Sequence, residues 1–264
     1  MLFRRIVFAA LLVGALSGLM LSAVQRWQVV PIIEAAERYE QARTPQAGGA
    51  AGEAAHPHEG AGEHAHAAGH EHAADAWEPA EGVERIGFTV LSNVLVGIGF
   101  ALVMLAVMSV ALRRGAVSGR KAMAKLNWRH GLLWGLAGYA VFFVAPALGL
   151  PPEIPGSVAA PLESRQVWWL LTAACTAAGI ALVVFGKSPW RWAGLALIAV
   201  PHVVGAPHSG MSPFVGFPPE MAAEMATLAK QFVWASAIAN GVFWIVLGIS
   251  SGWAAQRFVK KAVA

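Results

Sequence analysis

Cysteine is nearly absent from this chain. Cys175 is the only one and lies inside an apolar run, so no intramolecular disulfide can form and thiolate-built metal centres within one chain are excluded. Charge is scarce as well: 13% of residues are charged, against about 25% in ordinary soluble domains, which argues against a water-soluble fold. Catalytic signatures are missing too. There is no H-E-x-x-H, no G-x-S-x-G and no paired-carboxylate arrangement, so an enzyme reading has no residues behind it. Gly186-Lys187-Ser188 looks like the end of a phosphate-binding loop, but that pattern needs glycine where Ala181 stands, and no nucleotide is expected as a partner or cofactor. The pI near 9.6 does not point to nucleic acid either, because Lys and Arg sit in short clusters beside apolar runs and form no groove-binding motif.

What is present is apolar. Hydrophobic residues make up 57% of the chain, with 28 glycines that allow helices to approach closely and 11 tryptophans against 2 tyrosines, a bias suited to membrane interfaces. Six stretches approach the roughly 20 apolar residues that cross a bilayer core: 6–24, 88–112, 132–150, 167–186, 190–206 and 228–253. The expected fold is therefore all-α, a polytopic integral membrane protein of about six transmembrane helices forming one domain over residues 1–264. The stretch 190–206 is short and contains Pro201 and His202. Arg4 and Arg5 before the first run also suit a secretory signal, but that run exceeds the usual 7 to 15 residues and Leu21-Ser22-Ala23 is a poor cleavage site, so a retained helix is expected.

With six spans, one set of connecting segments carries only Arg26, Arg38, Arg43, Arg85, Arg165 and Lys230 of the 19 Lys and Arg, and the other set carries the rest. The positive-inside rule then places both termini in the cytoplasm. Every one of the 15 carboxylates falls on the opposite, outer side. Topology alone does not explain that, since acidic residues contribute little to orientation, and the resulting field would concentrate cations outside.

Residues 41–82 are rich in Ala, Gly, Glu and His with no apolar periodicity, which predicts a flexible extracytoplasmic loop. Six of the 9 histidines are here in three H-x-H pairs: His56 and His58, His64 and His66, His70 and His72, beside Glu59, Glu63 and Glu71. Imidazoles on a loose chain can gather around a divalent transition ion, whereas a low-complexity loop that merely tolerates histidine is the plainer alternative. Donors of this kind follow the Irving-Williams order and do not choose cobalt over nickel or zinc. The loop reads as a collector that binds less below a pH of about 6, where imidazole protonates.

A sharper constellation is Pro201-His202-Val203-Val204-Gly205-Ala206-Pro207-His208. Pro201 removes the N–H that would bond the Leu197 carbonyl, and a helix break at membrane depth survives only when buried in protein or lining a wet cavity. His202 stands roughly 18 Å along the helix from Trp190 at about 1.5 Å per residue. An ionisable residue at such a break is a candidate ion site, with a histidine bonded to a neighbouring helix as the alternative. His208, Glu220, Glu224, Met211, Met221 and Met225 follow on the same side and can complete it. Pro151, Pro152 and Pro155 make a stiff turn that fixes Glu153 at the outer end of the third span, if it is more than a span terminator. The candidate metal ligands are thus His56, His58, His64, His66, His70, His72, His202, His208, Glu153 and Glu220.

Phe3-Arg4-Arg5-Ile6-Val7, Val29-Val30-Pro31-Ile32-Ile33-Glu34-Ala35-Ala36-Glu37, the turn 148–156, Arg165-Gln166-Val167-Trp168-Trp169 and the segment 201–208 together resemble the CbtA family of predicted cobalt transporter subunits, over nearly the whole chain. The resemblance implies a multi-pass subunit of the bacterial inner membrane that supplies Co2+ for cobalamin synthesis, usually beside a small single-span CbtB partner with its own histidine motif. It carries over no proven ligand.

Overall fold

The computed structural model describes residues 2–43, 79–80, 82–117 and 127–259, and every regular element among them is helical. Helices satisfy each backbone group within one segment, which lipid demands of a chain this apolar. α1 (Leu2–Val24) continues through a π-helical turn at Gln25–Val29 into α2 (Val30–Arg43). The first helix therefore does not end at residue 24, where the apolar run stops. Ala, Glu, Gln and Arg are strong helix formers, and nothing in α2 beyond Pro31 breaks the ladder.

α3 (Val83–Val117) runs next, then α4 (Trp128–Tyr139), a π-helical turn at Ala140–Val144 and α5 (Ala145–Gly149). Asn127 caps α4, its Oδ1 accepting from the His130 N–H at 3.1 Å, which explains that histidine as a helix-start residue. Both internal π turns end two residues before a proline, Pro31 and Pro146. A proline inside a helix has no N–H to give and crowds the carbonyl four residues back, and the widened turn, closed by i to i−5 bonds from Val30 to Gln25 and from Ala145 to Ala140, makes room for the ring. α6 (Leu162–Phe185), α7 (Trp190–Val204) and α8 (Pro219–Ala254), extended by a π turn at Ala255–Val259, complete the chain.

Five stretches are long and apolar enough to cross a membrane: Phe3–Ala42, Val83–Ala111, Trp128–Gly149, Leu162–Phe185 and Pro219–Arg257. α7, the predicted stretch 190–206, is an apolar helix of 15 residues, about 22 Å long against a hydrocarbon core of about 30 Å. It is too short to cross that thickness alone.

Glycine sets the packing. In lipid no hydrophobic force pulls two apolar helices together, so they associate where small residues let backbones touch. Gly14 and Gly97 bring α1 against α3, Gly131 and Gly135 bring α4 against Gly248 of α8, and Gly179 meets Gly194 between α6 and α7. All three pairs are antiparallel. α2 meets the first turns of α8 while α1 meets the π turn that ends it, so the start and end of the described chain lie at the same end of the bundle. A core of Leu105, Met108, Phe243, Trp244 and Leu247 fills the middle. Phe142 stacks on Trp244 with ring centroids 5.5 Å apart.

Charge is sorted along this axis. Arg4, Arg5, Arg129, Lys187, Arg191 and Arg257 belong to the end where α1 starts. The described carboxylates all belong to the other, on α2, on the first turns of α3, α6 and α8, and at Glu153. That acidic end carries a second core of its own. Ala36 of α2, Ile154 of the 150–161 connection, Phe214 and Phe217 of the 205–218 connection, and Met225 of α8 are buried together. Polar ties lock it: the Arg85 guanidinium grips both oxygens of Glu37 at 2.5 and 3.3 Å, and the Tyr39 hydroxyl donates to Glu224.

Candidate functional site

Where the acidic end meets the α6–α7 hairpin, α6 starts after Pro161, whose carbonyl accepts a 2.8 Å bond from the Ser164 hydroxyl. One residue on, Arg165 reaches back across the proline-rich turn and pairs with Glu153 at 2.9 Å. Trp168 comes next on the inward face, only 5% exposed. Its indole Nε1–H donates to the Pro201 carbonyl at 3.1 Å, and its ring meets the His202 imidazole edge-on with centroids 5.9 Å apart. Gly149 lies against the same indole, where a Cβ would not fit.

Pro201 does not interrupt α7 as its sequence position suggests. The helix passes through it for one more turn because the Gly205 N–H still closes onto the Pro201 carbonyl at 3.1 Å. Gly205 then adopts φ +86°, a left-handed conformation that favours glycine, and ends the helix. Beyond it, residues 205–218 run without regular structure along the 150–161 connection, joined by the Val158 N–H to the Pro213 carbonyl at 2.8 Å.

His202 is thus half-buried inside the hairpin beside Trp168. His208 is exposed on the connection that follows, Glu220 is exposed in the first turn of α8, and Glu153 is occupied by Arg165. Among the described residues no three His, Cys, Asp or Glu side chains converge on one point, so these four do not form a closed metal centre. His56, His58, His64, His66, His70 and His72 lie outside the described residues.

Polar groups that sequence reading passed over gather between α1 and α3. The Asn93 amide donates to Ser22 Oγ at 3.0 Å and to Gln25 Oε1 at 2.7 Å, beside a cleft of about 290 Å³ lined by Gln25, Arg26, Glu34, Arg85 and Thr89. The visible signal was an amide inside an apolar run, which lipid tolerates only when paired. Trp168 gave no such signal, since it stands beside Trp169 at the start of a span.

Several apolar helices of crossing length, packed through glycine and capped at one end by a charged, partly irregular surface, define a multi-pass membrane protein. The chain belongs to the CbtA family, described as Probable cobalt transporter subunit, whose match covers residues 3–256. The family description makes it a subunit of a cobalt transporter and so implies partner subunits. No curated protein and no solved structure matches the chain.

Proposed function

We propose that this chain is the membrane subunit of a cobalt uptake system in the bacterial cell membrane, collecting Co2+ on its outer face and passing it inward along the α6–α7 hairpin without ATP. The placement of His202 carries the reading: the only described histidine within α7 packs on Trp168 where that short helix gives way to irregular chain. Charge sorting supports the direction. The end richer in lysine and arginine and without described carboxylates faces the cytoplasm by the positive-inside rule, and the carboxylates outside raise the local cation concentration. The histidines of 41–82 collect the ion, and His208 and Glu220, both exposed, hand it on to His202. Glu153 joins them by exchanging its Arg165 partner for the ion. Imidazole and carboxylate suit Co2+ as they suit Ni2+ and Zn2+. A small single-span CbtB-like subunit is the expected partner in the bilayer.

A second reading draws on the lack of a three-donor group among the described residues. In it the helices only anchor the histidine segment beside another transporter, as a metal-binding or sensing module. The two readings separate in radiolabelled cobalt accumulation. The transport reading predicts that His202→Ala abolishes uptake while deletion of 53–74 only raises the concentration needed, with nickel and zinc competing. Unchanged uptake in His202→Ala sinks it, and a deletion more damaging than His202→Ala selects the module.

A further inference from the structure

Buried hydroxyls in this bundle have a common habit. Ser17, Ser22, Ser109 and Thr172 each donate to the carbonyl four residues earlier in their own helix. Thr176 breaks it. Only 3% exposed, it is one of the few buried hydroxyls whose oxygen has no partner within hydrogen-bonding reach among the described residues. A buried polar group of this kind is normally paired, and its isolation calls for a reason.

The neighbouring helix supplies one. Thr172, Thr176 and Gly179 lie on the buried face of α6, and Gly179 meets Gly194 and Ile198 of α7, while Trp168 meets Pro201 and His202. This antiparallel register sets Thr176 level with the turn 197–201. In that turn Pro201 has no N–H, so the Leu197 carbonyl lacks the helix bond it would otherwise receive. Two oxygen groups without their usual partners therefore stand at one level of the same interface, about one and a half helical turns inward of His202 along α7. Ser251, the other buried hydroxyl without a partner among the described residues, lies on α8 with no proline-freed carbonyl in its helix.

We infer that Thr176 Oγ and the Leu197 carbonyl form a second station for the transported ion, an all-oxygen site that takes the water shell of a hydrated divalent cation after it leaves His202. This rests on the import reading above and extends it inward. The division of labour follows from donor chemistry. Imidazole binds the metal directly, whereas a hydroxyl and a carbonyl accept hydrogen bonds from metal-bound water and release the ion easily. Gly179 and Gly194 draw the helices together below this level, so the station stands just above the tightest part of the hairpin.

Thr176→Val removes the hydroxyl and keeps the shape. Initial Co2+ uptake at matched membrane abundance should fall by about tenfold or more, the scale of one lost hydrogen bond to a charged partner. Thr176→Ser should restore it. The melting temperature in detergent should stay level or rise in Thr176→Val, since the variant buries one unpaired group fewer. Wild-type uptake by Thr176→Val overturns the station, and if His202→Ala is then inactive the import reading survives. Loss in both variants supports both. In a Cys175→Ser background, Thr176→Cys should react with a small water-soluble thiol reagent and be protected by Co2+. A thiol that never reacts marks a dry interface and overturns the site whatever the transport result.

Discussion

At the scale of single residues, Trp168 joins the rim to the hairpin. Its indole ties α6 to α7 at the carbonyl that ends the regular helix, and its ring orients His202. Trp168→Phe keeps most of the packing and loses the N–H. Stability should fall by about 1 kcal/mol, the net value of a typical hydrogen bond, read as a lower melting temperature in detergent. Trp168→Ala should cost about 3 to 5 kcal/mol, as large core truncations do. If Trp168→Phe melts with the wild type, the hydrogen bond contributes nothing. His202 was legible beforehand, because an ionisable side chain in an apolar run is conspicuous by composition. Trp168 was not: its neighbours make it look like an interface residue, and its partner lies 33 positions away. Glu153 was legible as a fixed carboxylate, but its pairing with Arg165 depends on how the 150–161 connection folds back.

At the scale of elements, glycine contacts decide which helices are neighbours. A Cβ on Gly248 would meet the Gly131 carbonyl and lie 2.7 Å from Gly135 Cα, with backbone on both sides and no flexible side chain to yield. Gly248→Leu must therefore push α4 off α8. A loss of about 3 kcal/mol or more is expected, at or beyond the upper range for overpacking, visible as early melting or aggregation in detergent. Gly99, whose Cβ would meet nothing, should accept Leu with little change. Hydropathy located each of the apolar helices, yet missed where they end. α2 and the first turns of α8 continue as helix because their residues favour it, and they leave the apolar zone without a break. The π turns had a readable cue in Pro31 and Pro146. The pairing of α4 with α8 had none, since nothing in sequence order brings them together.

At the scale of the whole molecule, the two ends differ in charge, and the proposed function assigns each a side. Glu163 and Lys187 are exposed at opposite ends of α6. In a Cys175→Ser background, an impermeant thiol reagent applied to intact cells should label Glu163→Cys and spare Lys187→Cys. The reverse pattern would turn the bundle over and put the carboxylates inside, where they would load an exporter. Charge sorting itself was legible, because it needs only the order of spans and the positions of charged residues. The second core at the acidic end was not. Its apolar members are scattered among prolines and glycines in two connections that hydropathy reads as surface.

The continuous first helix has one more consequence. Phe3–Ala42 covers 40 residues, about 60 Å of rod at 1.5 Å per residue and twice the hydrocarbon thickness. It is moored to α3 through Glu37 and to α8 through Tyr39, so its excess length is held as a mast at the acidic end of the bundle. On the import reading proposed above, cobalt collected by the histidines that follow Arg43 should come from bulk solution rather than from the layer condensed on anionic phospholipid, so uptake should be indifferent to the lipid composition of the outer leaflet.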